Sequence, residues 1–174
     1  MVNKTEIETI FSEELQWIKN QKTREQVINV WYEAAKRGNW QTIEDAPFTL
    51  LIDNSGKLTE HTKRVTKLAK NVLLTRKEKI NQDYLIAGAI LHDVGKLLEY
   101  EKQGNKYVKG EYGKKFRHPV SGALLAKELG LPDEIVLIIY AHSHEGDKLE
   151  RSPEAVIVNH CDFIDFEIKK SLVK

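Results

Sequence analysis

The chain is poor in the features that mark several protein classes. Its 174 residues hold one cysteine, Cys161, so no internal disulfide can form and a disulfide-stapled scaffold is excluded. A lone thiol suits a reducing compartment, and a cytoplasmic location is expected on that ground. Four prolines and ten glycines are too few for a low-complexity or collagen-like chain. Neither sign of charge dominates: 27 Lys and Arg stand against 26 Asp and Glu, a net +1. No bulk field therefore steers the chain toward nucleic acid or an anionic membrane. Long apolar runs are missing too. The longest, Ile135 to Ala141, falls far short of the roughly 20 residues that span a bilayer. The first residues, Met1-Val2-Asn3-Lys4-Thr5-Glu6, carry acid early and lead into no apolar stretch, so a secretory signal is not expected.

What is present is helical periodicity nearly throughout. Residues 5–20 place Ile7, Ile10, Phe11, Leu15 and Ile18 on one face. Thr23 with Gln26 reads as a capping box opening a second helix, through Val27, Val30, Trp31 and Ala34, which Gly38 would stop. A short apolar piece, Phe48 to Ile52, follows Pro47. A third helix is expected from about Thr59 to Leu74 and a fourth from about Gln82 to near Gly95. Pro119, Pro132 and Ser152-Pro153 open three more, the first of them closed by Gly130. Trp17, Trp31 and Trp40 read as core packing of the N-terminal region, and Cys161 as an inert buried thiol.

Residues 101–117 differ in character. Lys102, Lys106, Lys109, Lys114, Lys115 and Arg117 alternate with Gly104, Gly110 and Gly113. Tyr107-Val108 and Glu111-Tyr112 could pair as a small hairpin. A flexible lid that attracts an anionic substrate is one expectation for this insertion, and a solvated surface feature is the other.

All six histidines lie between residues 61 and 160. His61 shares a face with Val65 and Leu68; His92 follows Ile90-Leu91 and is joined to Asp93. His142 ends the run Ile138-Ile139-Tyr140-Ala141, and Asp162 lies among Val158 and Ile164. A single histidine on an apolar face is ordinarily a hydrogen-bonded core residue. Ionisable groups on the apolar faces of four helices cost several kcal/mol unless satisfied, and one cation would satisfy them together. Imidazole and carboxylate donors suit Fe, Mn, Zn, Ni or Co. Glu60 and Arg64, beside His61, read as solvated helix charges. His160, about 200° around the helix from Asp162, falls off the ligand face.

His61, then His92-Asp93-Val94-Gly95-Lys96, then Asp162 resembles the signature of the HD-domain superfamily of metal-dependent phosphohydrolases, in its His-Asp-x-Gly-Lys form. The likeness runs from about Leu51 to Asp165. It implies an all-α fold, a compact helical bundle of the HD-domain type with the short basic segment as an insertion. Residues 1–47 are then an N-terminal helical extension packing on the core and 48–174 the HD domain, the two forming one structural unit. The resemblance implies His61, His92, Asp93 and Asp162 as ligands of a first ion, with His118 and His142 as the added pair of dinuclear members. Two divalent transition-metal ions bridged by Asp93 are expected, because its two carboxylate oxygens can serve two cations. Ions so placed activate water and clamp the oxygens of a phosphoryl displacement.

In Ala141-His142-Ser143-His144-Glu145-Gly146 either histidine can be the ligand; His142 is preferred because it ends the apolar helix. His144 would then face the mouth of the site, to touch substrate or donate a proton. The resemblance also places Lys96 against the substrate phosphate, and Arg117, beside His118, is a candidate for a second phosphate contact. Asp93, Lys96 and His144 are thus the expected catalytic residues, and Lys96, Arg117 and His144 the expected substrate contacts. The Gly-Tyr-Pro of the cyclic-dinucleotide phosphodiesterase branch is absent, since Gly146-Asp147-Lys148-Leu149 follows Glu145.

The function expected is hydrolysis of a phosphate ester of a small molecule, a nucleotide or related monoester, by metal-activated water. A small phosphorylated substrate is the expected partner, with no membrane and no nucleic-acid polymer. Two alternatives stand beside it: a di-iron HD-domain oxygenase using the same six ligands, and a non-catalytic nucleotide-binding module.

Overall fold

The computed structural model describes residues 2–173 and is all-α apart from one hairpin. The helix expected over 5–20 is divided. The Asn3 side chain accepts from Glu6 N to start α1 (Lys4–Ile10), Phe11 leaves helical geometry, and α2 (Ser12–Gln16) follows. The break lets the buried Phe11 ring meet Trp31, at 5.0 Å between centroids.

α3 (Gln21–Arg37) starts earlier than the Thr23–Gln26 pair suggests. Its cap is Asn20, which accepts from Thr23 N at 3.0 Å, while Gln26 donates to Gly130 O at 2.7 Å across the fold. Gly38 does end α3, but the left-handed residue is Asn39 (φ 58°). Gly38 is needed for proximity: a Cβ there would lie 1.9 Å from Leu97 O.

After a 3₁₀ turn at Ile43–Asp45 come α4 (Leu58–Thr75) and α5 (Gln82–Leu91). Every residue from Leu85 to Leu91 is buried, which makes α5 the axis of the bundle. α6 (Lys96–Glu99) leads into β1 (Tyr100–Gln103), which pairs antiparallel with β2 (Lys106–Lys109), Tyr100 opposite Lys109. The hairpin is therefore not the one expected. Tyr107-Val108 pairs back onto Lys102 and Glu101, and Glu111-Tyr112 opens α7 (Glu111–Lys115). Gly104-Asn105 supplies the two-residue turn, with Gly104 at φ +60°. α8 (His118–Glu128), α9 (Asp133–Ala141) and α10 (Pro153–Ser171) complete the chain, with Pro at the first turn of α8 and α10.

Two apolar clusters flank α5. One joins α1, α2 and α3 to α5, α8 and α9 through Ile7, Phe11, Trp31, Ile90, Leu97 and Ile139. The other joins α4, α5, α9 and α10 through Val65, Leu85, Ile138 and Val158. Trp31 Nε1 donates to Ile90 O at 3.1 Å and Trp40 Nε1 to Leu97 O at 2.8 Å. These bonds fasten the N-terminal region to carbonyls on either side of the His92–Lys96 segment. Among the described residues no helix is long and apolar enough to cross a membrane.

Gly95 is where α8 passes closest to that segment. A Cβ there would meet His118 O at 2.1 Å and Gly122 N at 2.7 Å, and backbone atoms cannot step aside as a flexible side chain can. Gly95→Ala is expected to destabilise the fold by about 3 kcal/mol. A calorimetric scan should show Tm lowered by roughly 6–12 °C. A fall below about 2 °C would mean that α8 shifts at little cost.

Candidate metal centre

His61 projects from α4, His92 and Asp93 from the turn after α5, and His118 from the first turn of α8. His142 follows α9 and Asp162 lies in α10. Sequence separations of up to a hundred residues close into one pocket. His61, His92, Asp93 and Asp162 offer ligand atoms all within 4.8 Å of one another, and so do Asp93, His118 and His142.

Asp93 divides its oxygens between the two groups. Oδ2 lies 3.3 Å from His61 Nε2 and 3.4 Å from His92 Nε2; Oδ1 lies 3.2 Å from His118 Nε2 and 3.6 Å from His142 Nε2. Asp162 Oδ1 is 3.2 Å from His61 Nε2 and 3.8 Å from His92 Nε2. Donors sharing one ion at bond lengths of about 2.0–2.2 Å stand roughly 3–4 Å apart, the spacing found here.

All four imidazoles are turned the same way. His61 Nδ1 donates to Asp165 Oδ2 at 2.7 Å, and His92 Nδ1 to Ala89 O at 2.7 Å. His118 Nδ1 donates to Glu99 Oε2 at 2.9 Å, and His142 Nδ1 to Ile139 O at 2.6 Å. With Nδ1 occupied as a donor, each ring turns its Nε2 to the centre, where it can offer a lone pair to a metal ion. His61 Nε2 and His92 Nε2 lie 3.1 Å apart, and His142 Nε2 is buried with no hydrogen-bond partner. Ring nitrogens turned on one another and an orphaned buried ring nitrogen are unfavourable by about 1–3 kcal/mol per group unless a cation meets them. The donor set fits divalent transition-metal ions.

The electrostatics agree. Burial pushes His61 down, but Asp162, Asp165 and Asp93 outweigh it and hold the ring up at about 9. Three carboxylates here call for positive charge. In His118 burial prevails and lowers the ring to about 4, leaving it neutral and able to ligate at pH 7. Burial alone would raise the Asp93 carboxyl; Lys96, His92, His142 and His61 instead keep it well below the usual carboxylate range.

Lys96 begins α6 rather than ending the helix of His92. It is buried, 6% exposed. Its Nζ donates to Asp93 Oδ2 at 2.5 Å and to Phe48 O at 2.8 Å. A cavity of about 230 Å³ opens over the donors. Its lining includes the charged and polar Asp93, Lys96, Lys109, Arg117 and His118 and the apolar Leu50, Leu51, Phe163 and Phe166. Phe48 also lines it, its ring stacked on His61 with centroids 3.8 Å apart. Arg117 also lines the cavity, but its guanidinium is paired with Glu145 Oε1 at 2.6 Å. His144 stands at the mouth, 71% exposed by side chain, with Nδ1 on Asp147 Oδ2 at 3.1 Å; His142 is the histidine brought to Asp93. Of the six cations of the basic segment, only Lys109 and Arg117 line the cavity, and Lys114 pairs with Glu111.

Two residues of consequence escape the sequence pattern. Asp165 backs His61 and is gripped by Arg64 through Nε (2.6 Å) and Nη2 (2.9 Å), so Arg64 is not merely a solvated helix charge. Its position three residues after Asp162 on a helix was the available hint. Glu99 backs His118 from the end of α6, and no periodicity announces it.

A family profile described as HD domain matches residues 58–166. The chain belongs to the HD domain family. It is 32% identical over 143 residues to the dihydroneopterin 2',3'-cyclic phosphate phosphodiesterase of Methanocaldococcus jannaschii, which covers 76% of this chain and 56% of that protein. Ribonuclease Y of Fervidobacterium nodosum is 31% identical over 104 residues, 60% of this chain and 17% of its own. Ribonuclease Y of Rubrobacter xylanophilus is 36% identical over 76 residues, 44% of this chain and 12% of its own. The chain thus spans about half the length of the first relative and under a fifth of the other two. No solved structure gives a significant match.

Proposed function

We propose that the protein is a metal-dependent phosphohydrolase that cleaves a phosphate ester of a small molecule, a nucleotide or related monoester. One observation carries this: four imidazoles on four elements all present Nε2 to the two oxygens of Asp93. His61, His92, Asp93 and Asp162 would hold one divalent ion, and Asp93, His118 and His142 a second. Ions bound there supply Lewis acidity and water activated at neutral pH. Asp93 joins the two sites. Lys96 holds Asp93 in register and presents positive charge to the substrate phosphate, and Arg117 adds a second cation when released from Glu145. His144, at the mouth, is placed to donate a proton to the leaving group. The lining rings of Phe48, Phe163 and Phe166 would limit the bulk water that reaches the cavity. The shared apolar cluster and the two tryptophan bonds support residues 1–47 as an extension that completes the 48–174 domain.

A second substrate, a cyclic phosphodiester, is favoured by the M. jannaschii relative together with the apolar Phe163 and Phe166 that line the cavity beside its cations. The test is anaerobic reconstitution with Mn²⁺ and a panel of nucleotides, sugar phosphates, 2',3'-cyclic phosphates and short RNA. Release of inorganic phosphate, abolished by a chelator, is the expected result. Ring opening without free phosphate would select the cyclic diester. Turnover requiring iron and O₂, with O₂ consumed in step with product, would establish an oxygenase, and tight binding without turnover a sensing module. Arg117→Ala is expected to raise KM about tenfold with kcat within about twofold, since its cation acts in binding. An unchanged KM would confine Arg117 to its pair with Glu145.

A further inference from the structure

The carboxylates behind the two donor groups are braced by different parts of the fold. Asp165 in α10 holds His61, and Arg64, one turn along α4 from His61, holds Asp165. That brace lies wholly within two packed helices. Glu99 works otherwise. Its Oε2 accepts from His118 N at 2.6 Å and from His118 Nδ1 at 2.9 Å, while its Oε1 accepts from Lys109 Nζ at 2.7 Å. Lys109 is the last residue of β2, so this brace runs through the hairpin.

We infer that Glu99 is a positioning residue for the Asp93–His118–His142 group, and that Lys109 on the hairpin sets how firmly this group holds a metal ion. The inference rests on the proposal above that these three residues take a second ion. His118 depends on Glu99 for its orientation at both backbone and ring. The other imidazole of the group, His142, is held by Ile139 O within its own helix turn and needs nothing from the hairpin. A carboxylate on Nδ1 fixes the tautomer that leaves Nε2 free and makes that nitrogen a better donor. Lys109 immobilises the far oxygen, so the carboxylate cannot rotate away from His118. The start of α7, directly after the hairpin, also packs closely here: Gly110 N donates to Glu99 O at 2.9 Å, and a Cβ on Gly113 would meet that oxygen at 2.3 Å. The first donor group has no such link, so the two ions should respond differently to the hairpin.

The experiment is titration of the full metal-free chain with Mn²⁺ against a chromophoric chelator, which resolves stronger and weaker sites without assaying activity. Wild type should show two sites, and His118→Ala should lose one. Glu99→Ala is expected to weaken the second site by roughly 10–100-fold and leave the first within about twofold. Lys109→Met, at a half-exposed position that threatens folding little, should weaken the same site by a smaller factor, about 3–10-fold. Glu99→Gln keeps an oxygen for His118 but turns an amide toward Lys109, and should match Lys109→Met. Adding Lys109→Met to Glu99→Ala should change nothing further, because the lysine acts only through the carboxylate. Equal weakening of both sites, or an undiminished effect of Lys109→Met when Glu99 is absent, would overturn the inference. So would an unchanged second site in Lys109→Met. A wild-type chain with one Mn²⁺ site, or a His118→Ala variant that keeps two, would instead remove the dinuclear proposal beneath it.

Discussion

Asp93→Ala should empty both metal sites at once, and with them all phosphate release. The expectation follows from how the carboxylate is shared. Oδ2 faces His61 and His92 while Oδ1 faces His118 and His142, so each donor group loses its common anionic member. What remains is His61, His92 and Asp162 on one side and only His118 and His142 on the other. The substitution also strands the buried Lys96 ammonium, whose other partner is Phe48 O. Breaking a buried pair costs about 3–5 kcal/mol, so folding must be checked separately. Asp93→Asn preserves the shape and a partial acceptor for Lys96, and should lose the metals while still folding. Metal content of the folded variants, measured by mass spectrometry after purification without chelator, decides the matter. A variant that retains near-full metal would sink the bridging role.

Lys96→Met should do the reverse: keep the metals and lose the reaction. The aliphatic stem still fills the space beside Phe48, whereas the cation in the cavity disappears. Lys96 Nζ touches Asp93 Oδ2 at 2.5 Å, so its charge opposes any cation placed on that oxygen. Metal affinity should therefore hold or rise. On the substrate side, loss of one charge-assisted phosphate contact should lower kcat/KM on the order of 10²-fold, about 3 kcal/mol. Steady-state kinetics with saturating Mn²⁺ separates the effects. A kcat/KM within threefold of wild type would reduce Lys96 to a structural partner of Asp93.

Helices α4, α5, α8, α9 and α10 were legible because their apolar stripes, prolines and end signals are local properties of the chain, whereas the short α6 and α7 were not. The N-terminal helices were legible only in part. Nothing local breaks the 5–20 stripe; burial of Phe11 against Trp31 divides it, and Asn20 outcompetes Thr23 as the cap of α3. The hairpin shows the same limit. Its turn chemistry at Gly104 is local, but Tyr107-Val108 has suitable partners on both sides in sequence, and only the packed α7 settles which one pairs.

By itself the sequence determined an all-α bundle and the order in which donor residues arrive along it, since periodicity and residue chemistry require no third dimension. It also placed Gly95 two residues after the His-Asp pair, but why that position needs glycine, His118 O of α8 lying 2.1 Å from where a Cβ would sit, is tertiary. The choice of His142 over His144 for the place beside Asp93 needed α9 to end inside the pocket. The braces, Asp165 with Arg64 and Glu99 with Lys109, needed chain segments distant in sequence to meet. A hydrogen bond across such separations leaves no period in the sequence. What the fold alone decided is therefore which nitrogen each imidazole presents to Asp93, and which parts of the molecule hold it there.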